Sequence, residues 1–160
     1  MAARNRTSTL TINAAFLQEI KEVNEDLWRQ LEEVRGICGA AASVHGHARQ
    51  LPDTLAQLRD QLAMHFALEE AYGYFEDPVA VAPHLNATAC ALRDEHSSLY
   101  SSVCEVLEFV ESAFYAGHLP KSAKQVVERF QAFYDQLQTH EAKENELILK
   151  AYDDDIGVGD

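Results

Sequence analysis

The stretch VVERFQAFYDQLQTHEAKENELI, residues 126–148, decides the fold. Val126, Phe130, Phe133 and Leu137 recur at steps of three and four, the spacing of one face of an α-helix. The same phase continues through His140 and Glu144 to Leu147 and Ala151. An apolar seam therefore turns polar in mid-helix without changing face. Burying imidazole and carboxylate together is costly unless something pairs them, and a metal ion is the usual partner.

Three further seams lie upstream. One starts near Thr11–Asn13 and carries Leu17, Ile20, Asn24, Leu27, Leu31, Val34, Cys38 and Ala41, until Gly36, Gly39 and the stretch GHARQLPD weaken and end it. The next opens at Pro52–Asp53, a good N-terminal pair, and runs Leu55, Leu58, Leu62, His65, Glu69, Tyr72. The two prolines of EDPVAVAP close it. The third carries Leu85, Ala89, Leu92, His96, Leu99, Val103, Val106 and Val110, and ends at Gly117. Ser122 with Gln125, after Pro120, predicts a capping box opening the fourth helix. No alternating β-branched run and no Asn-Gly or Asp-Gly turn occurs. Short connections between long helices predict an all-α, up-down-up-down antiparallel four-helix bundle. One domain over residues 1–160 is expected, with 1–11 and 153–160 flexible.

The chain has 160 residues, 47% of them hydrophobic, enough for a core without disulfides or other staples. No apolar run approaches the ~18 residues of a membrane span, and no signal peptide is expected. A net charge of −13 argues against nucleic acid, which requires a basic face. Cys38, Cys90 and Cys104 are odd in number and lack Cys-x-x-Cys spacing, so free thiols and a cytoplasmic location are expected.

His-x-x-x-Glu occurs twice on the seams, at His65/Glu69 and His140/Glu144, with His96 between. Either pair alone is weak evidence; the levels along the bundle add more. If the third and fourth helices fold back around residues 117–121, His96 sits opposite residue 142, beside His140. If the second and third fold back around residues 76–84, His65 faces residue 95, beside His96. Three histidines on three helices then meet in one layer, with Glu69 and Glu144 one turn away on the same faces. Imidazole and carboxylate donors without a thiolate suit iron, manganese or zinc. Two central carboxylates can bridge two cations about 3.5–4 Å apart, so a dinuclear centre, iron first, is expected, with Glu69 and Glu144 as bridges. The alternative is a metal-free network in which each His pairs with its own Glu.

The motifs HFALEE (65–70), RDEHSSLY (93–100) and THEAKENELI (139–148), in this order along four helices, resemble the hemerythrin-like (HHE cation-binding) family from about Ile12 to Ala151. Spacings of 31 residues from His65 to His96 and 44 from His96 to His140 are similar to its iron–sulfur-repair branch. The resemblance implies a non-haem di-iron centre with His65, His96 and His140 as terminal ligands and Glu69 and Glu144 as bridges. The family also supplies a first-helix histidine, whereas this chain has none before His45 and places Asn24 on that seam. Tyr100 stands where oxygen-carrying relatives have another histidine; as a ligand, a hydrogen-bond donor or a packing residue it remains an additional candidate.

With fewer histidines, simple oxygen carriage is disfavoured. The expected role is a metal-binding module that binds or senses O2, NO or peroxide, or serves iron homeostasis, with a separate and unidentified protein partner for any signal. The alternatives are a di-iron enzyme turning over ferrous iron, NO or peroxide, or donating iron in cluster repair, and a degenerate bundle with one metal or none. Glu70 and Glu141 are read as solvated groups or groups orienting a ring N–H, and His45, His47, His84 and His118 as ordinary turn or loop histidines.

Overall fold

The computed structural model describes residues 24–71 and 83–158, with side chains through residue 151. Among them every regular element is helical and no strand occurs. Helix α1 is described over 24–38, followed by α2 (Ala41–Gly46) and α3 (Leu51–Ala71). A 3-10 turn at Pro83–Leu85 leads into α4 (Asn86–Tyr115), and α5 runs Leu119–Val158. Among the described residues no helix is long and apolar enough to cross a membrane. Expectations for residues 1–11, Leu17, Ile20 and Tyr72 lie outside the described residues.

The long helices pair antiparallel. Between α4 and α5, Ser98 meets Gln136 while Glu95 meets His140 and Lys143. Between α1 and α3, Gln30 meets Thr54 and Gln57 while Glu33 meets Gln50. One continuous core joins Leu27, Leu31 and Val34 of α1 with Leu55, Leu58 and Leu62 of α3, Val103 and Val110 of α4, and Phe130, Phe133 and Leu137 of α5. A smaller cluster, Leu85, Ala89, Leu92, Leu147 and Ala151, lies toward the other end. Along α4 and α5 the buried polar residues His96, His140 and Glu144 fall between the two clusters.

Two helix boundaries differ from expectation. The first seam stops at Cys38, and Ala41 is exposed at the start of α2. A side chain at Gly39 would stand 3.2 Å from the Arg35 carbonyl oxygen, and Ala40 is extended (φ −153, ψ 149), so the helix breaks there. Helix α5 begins at Leu119, three residues before the expected Ser122 cap. Pro120 sits in its first turn, where a missing N–H leaves nothing unsatisfied, and the Ser122 N–H already donates to the His118 carbonyl.

The turn between α4 and α5 fixes their levels. Gly117 adopts φ +72, and its N–H donates to Phe114 while the His118 N–H donates to Ala113. These two bonds form a Schellman motif, whose left-handed residue favours glycine.

Candidate metal centre

His65, Glu69, His96, His140 and Glu144 form one buried layer, each 5% exposed or less. Steps of four residues on α3 and α5 stack each His over its Glu on one helix face, and α4 inserts His96 between them. His65 Nε2 lies 2.7 Å from Glu69 Oε1, and His140 Nε2 lies 2.9 Å from Glu144 Oε1. His96 Nε2 faces both carboxylates, 3.3 Å from Glu69 Oε2 and 3.5 Å from Glu144 Oε1. All three imidazoles thus turn Nε2 inward.

What holds the rings differs from one to the next. His96 Nδ1 lies 3.1 Å from Glu70 Oε1, and its ring stacks on Phe66 with centroids 3.9 Å apart. His140 Nδ1 lies 2.7 Å from Glu95 Oε2, and Lys143 donates to the other Glu95 oxygen at 2.9 Å. A carboxylate on Nδ1 fixes the tautomer that leaves Nε2 free as a ligand. His65 Nδ1 is buried without a hydrogen-bond partner. Its Nε2 instead meets a second carboxylate, Glu141 Oε1, at 3.2 Å.

The layer has more buried polar atoms than hydrogen bonds to satisfy them. Glu69 Oε2, Glu144 Oε2 and His140 Nε2 lack a hydrogen-bond partner, although oppositely charged groups stand close by. Leaving such atoms unpaired in a dry site costs about 1–3 kcal/mol each. The donor atoms fall into two groups, Glu69–His96–His140–Glu144 and His65–Glu69–Glu141–Glu144, each with its atoms within 4.8 Å of one another. A cation placed among them would satisfy the orphaned atoms, so the buried cluster can hold a metal.

The electrostatics of the metal-free layer agree. Burial by itself lowers the His65 pKa, but the carboxylates of Glu141 and Glu69 outweigh it and raise it to about 10. His96 is lowered by burial and raised more strongly by Glu144 and Glu69, to about 9. His140 is likewise raised, Glu144 and Glu95 prevailing over burial. Glu69 is raised by burial and lowered more by His65 and His96, so its carboxylate stays ionised. Without metal, protons take the cation's place.

The other candidates stand elsewhere. Asn24 lies six residues before Gln30, so it comes level with the turn of α3 near residues 60–63, short of His65. The continuation of the chain through α2 before α3 sets this level. Its Oδ1 is buried without a partner. Tyr100 is 39% exposed and neighbours Cys104 and Arg59 rather than the layer. His45, His47, His84 and His118 are exposed. Glu70 meets the His96 ring nitrogen, one of the two roles expected for it, whereas Glu95 was missed, although it adjoins the seam residue His96 in the same way. Glu141 is not a solvated group: its side chain is 15% exposed and turned onto His65.

Comparison of the chain with curated proteins and with solved structures gives no match. The profile of the hemerythrin HHE cation-binding domain matches residues 15–152, which include the whole layer. The chain belongs to the hemerythrin HHE cation-binding domain family.

Proposed function

We propose that this chain binds a non-haem dinuclear iron centre, with Glu69 and Glu144 as bridges and His65, His96 and His140 as terminal ligands. The observation carrying the reading is that two ligand groups share both of these glutamates. Imidazole and carboxylate donors suit iron, with manganese and zinc as competitors. Such a centre, when bound, supplies two adjacent redox-active ions with positions left open for O2, NO or peroxide.

The surrounding residues serve that role. Phe66 packs against the His96 and His140 rings. Glu70 and Glu95 hold two of the rings in place. A solvent-open cavity of about 340 Å3 reaches His140 between α4 and α5, lined also by Glu95, Leu99, Gln136, Thr139 and Lys143. That is ample beside the ~30 Å3 share of one water, so a small molecule can approach the outer edge of the layer at His140. We read the protein as a module that binds or senses these small molecules or serves iron homeostasis, with a separate protein partner for output. Unpaired Cys38, Cys90 and Cys104 support a reducing cytoplasm.

Metal analysis and an optical spectrum of aerobically purified protein test the reading. About two irons per chain with a near-ultraviolet charge-transfer band are expected. No metal, together with stability indifferent to chelator, would overturn it. The 31- and 44-residue spacings favour a second reading, catalytic turnover or iron donation in iron–sulfur repair. Stopped-flow mixing of ferrous protein with O2, NO or peroxide separates the two: repeated turnover means an enzyme.

A further inference from the structure

Helix α5 serves both halves of the layer with consecutive residues. Successive positions on a helix point about 100° apart. His140 accordingly faces His96 of α4, with rings 5.1 Å apart, and Glu141 faces His65 of α3 at 3.2 Å. Glu144, one turn on, stands in both ligand groups. The half around His96 and His140 therefore has two imidazoles and the two shared carboxylates. The half around His65 has one imidazole and three carboxylates.

Hydrogen bonding alone does not account for the second half. His65 Nε2 has one proton at most to offer, and two carboxylate oxygens lie 2.7 and 3.2 Å from it. Glu69 Oε2 and Glu144 Oε2 are buried without a hydrogen-bond partner, the former 3.3 Å from His96 Nε2, and their side chains are 1% exposed. Three carboxylates around one ring in a dry layer repel one another, and a single imidazolium offsets only part of that charge where a divalent cation would offset more.

We infer that Glu141 is a terminal metal ligand, making the centre two chemically unequal subsites: a nitrogen-rich one at His96/His140 and an oxygen-rich one at His65/Glu141. This rests on reading the layer as a dinuclear metal site. Imidazole suits zinc and iron, whereas carboxylate suits harder ions such as manganese. The two subsites therefore fill in steps, Zn2+ entering the His96/His140 subsite first. The His65/Glu141 subsite discriminates least against Mn2+.

The test titrates metal-free full-length protein with Mn2+ and, separately, Zn2+, counting bound ions by dialysis and elemental analysis. Wild type is expected to bind two of either ion in two resolved steps. Glu141→Gln keeps the first step and weakens the second at least the ~10–100-fold that loss of an outer hydrogen-bond partner costs, with Mn2+ losing more than Zn2+. Glu141→His keeps both steps and moves the second toward Zn2+ over Mn2+, a change of preference that a structural role would not produce. Circular dichroism of each variant confirms the helical fold. Two ions bound by Glu141→Gln as tightly as by wild type overturn the role of Glu141 and leave the metal site standing. So does an equal loss of both steps in that variant, or an unchanged metal preference in Glu141→His. Wild type binding no ion overturns the metal reading itself.

Discussion

Helices α3, α4 and α5 each line two different interiors. Toward the turn between α4 and α5, the bundle is a continuous apolar core in which Phe130, Phe133, Leu58 and Val103 are fully or almost fully buried. A few turns away the same seams bury three imidazoles and two carboxylates, several of whose atoms lack hydrogen bonds. Burying a side chain such as Phe or Leu stabilises by about 1.5–3 kcal/mol. Buried charges, even when paired, often contribute nothing over apolar residues of similar volume. The apolar half therefore holds the bundle together, and the polar layer is carried by it.

The most drastic way to break this division is His140→Ala combined with Glu144→Ala. Metal binding should vanish while circular dichroism stays helical; unchanged metal content would refute the proposed ligands. On the apolar side, Phe130→Ala should destabilise metal-free protein by about 3–5 kcal/mol in urea unfolding, with metal stoichiometry kept in the folded fraction. Replacing His65, Glu69, His96, His140 and Glu144 together by apolar residues of similar volume should do the opposite. Metal-free stability should then be unchanged or rise by about 1–4 kcal/mol while metal binding is lost. A large destabilisation would show that the polar layer contributes to the fold after all. Glu95→Gln should leave stability nearly intact and weaken metal affinity by about 10–100-fold, because His140 loses the carboxylate that orients it. Equal affinity would show that Phe66 and the helix packing alone hold the ring.

The mildest handle is pH, which changes no residue. The folded pKa values of His65 and His96, about 10 and about 9, lie above the ordinary 6.5. Their contribution is complete below 6.5 and is lost as pH rises through 9 and 10. Glu69 is held below its ordinary 4.5, so its contribution is lost as pH falls below that value. Metal-free protein should be most stable between about pH 4.5 and 6.5 and decline toward pH 10. Metal affinity should rise over that same alkaline range, because binding displaces the histidine protons. A urea midpoint that is flat from pH 6 to 10 without metal would contradict the charged layer.

The two interiors were unequally legible in the sequence. Both repeat every three or four residues, so the seams could be traced straight through His65, His96 and His140. The level of His96 beside His140 was readable because only a short turn separates α4 from α5. Asn24 was not, because the break at Gly39 and the added helix α2 change how far α1 extends beside α3. Periodicity left Glu141, Glu70 and Glu95 off the seam; adjacency alone pointed to Glu70 and Glu141, without their partners, and Glu95 was missed. A seam counts the positions facing one axis, whereas in a bundle the flanking positions face the neighbouring helices. Each of these glutamates sits beside a seam residue, and the partner it meets on another helix is invisible until the helices are placed.

The left-handed Gly117 has a consequence for how such a protein can change. His96 and His140 stand 21 and 23 residues from it, so the turn acts as an index mark for two long rulers. Inserting one residue between Gly117 and His140 while the turn kept its place would advance the rest of α5 by ~1.5 Å and rotate it by ~100°. His140 would leave the layer and another residue would take its position. A point substitution changes one side chain of the layer and keeps the remaining geometry. A change of length does not, since it moves every ligand on α5 at once. The donor set is free to drift one residue at a time, while the count of residues from the turn is not.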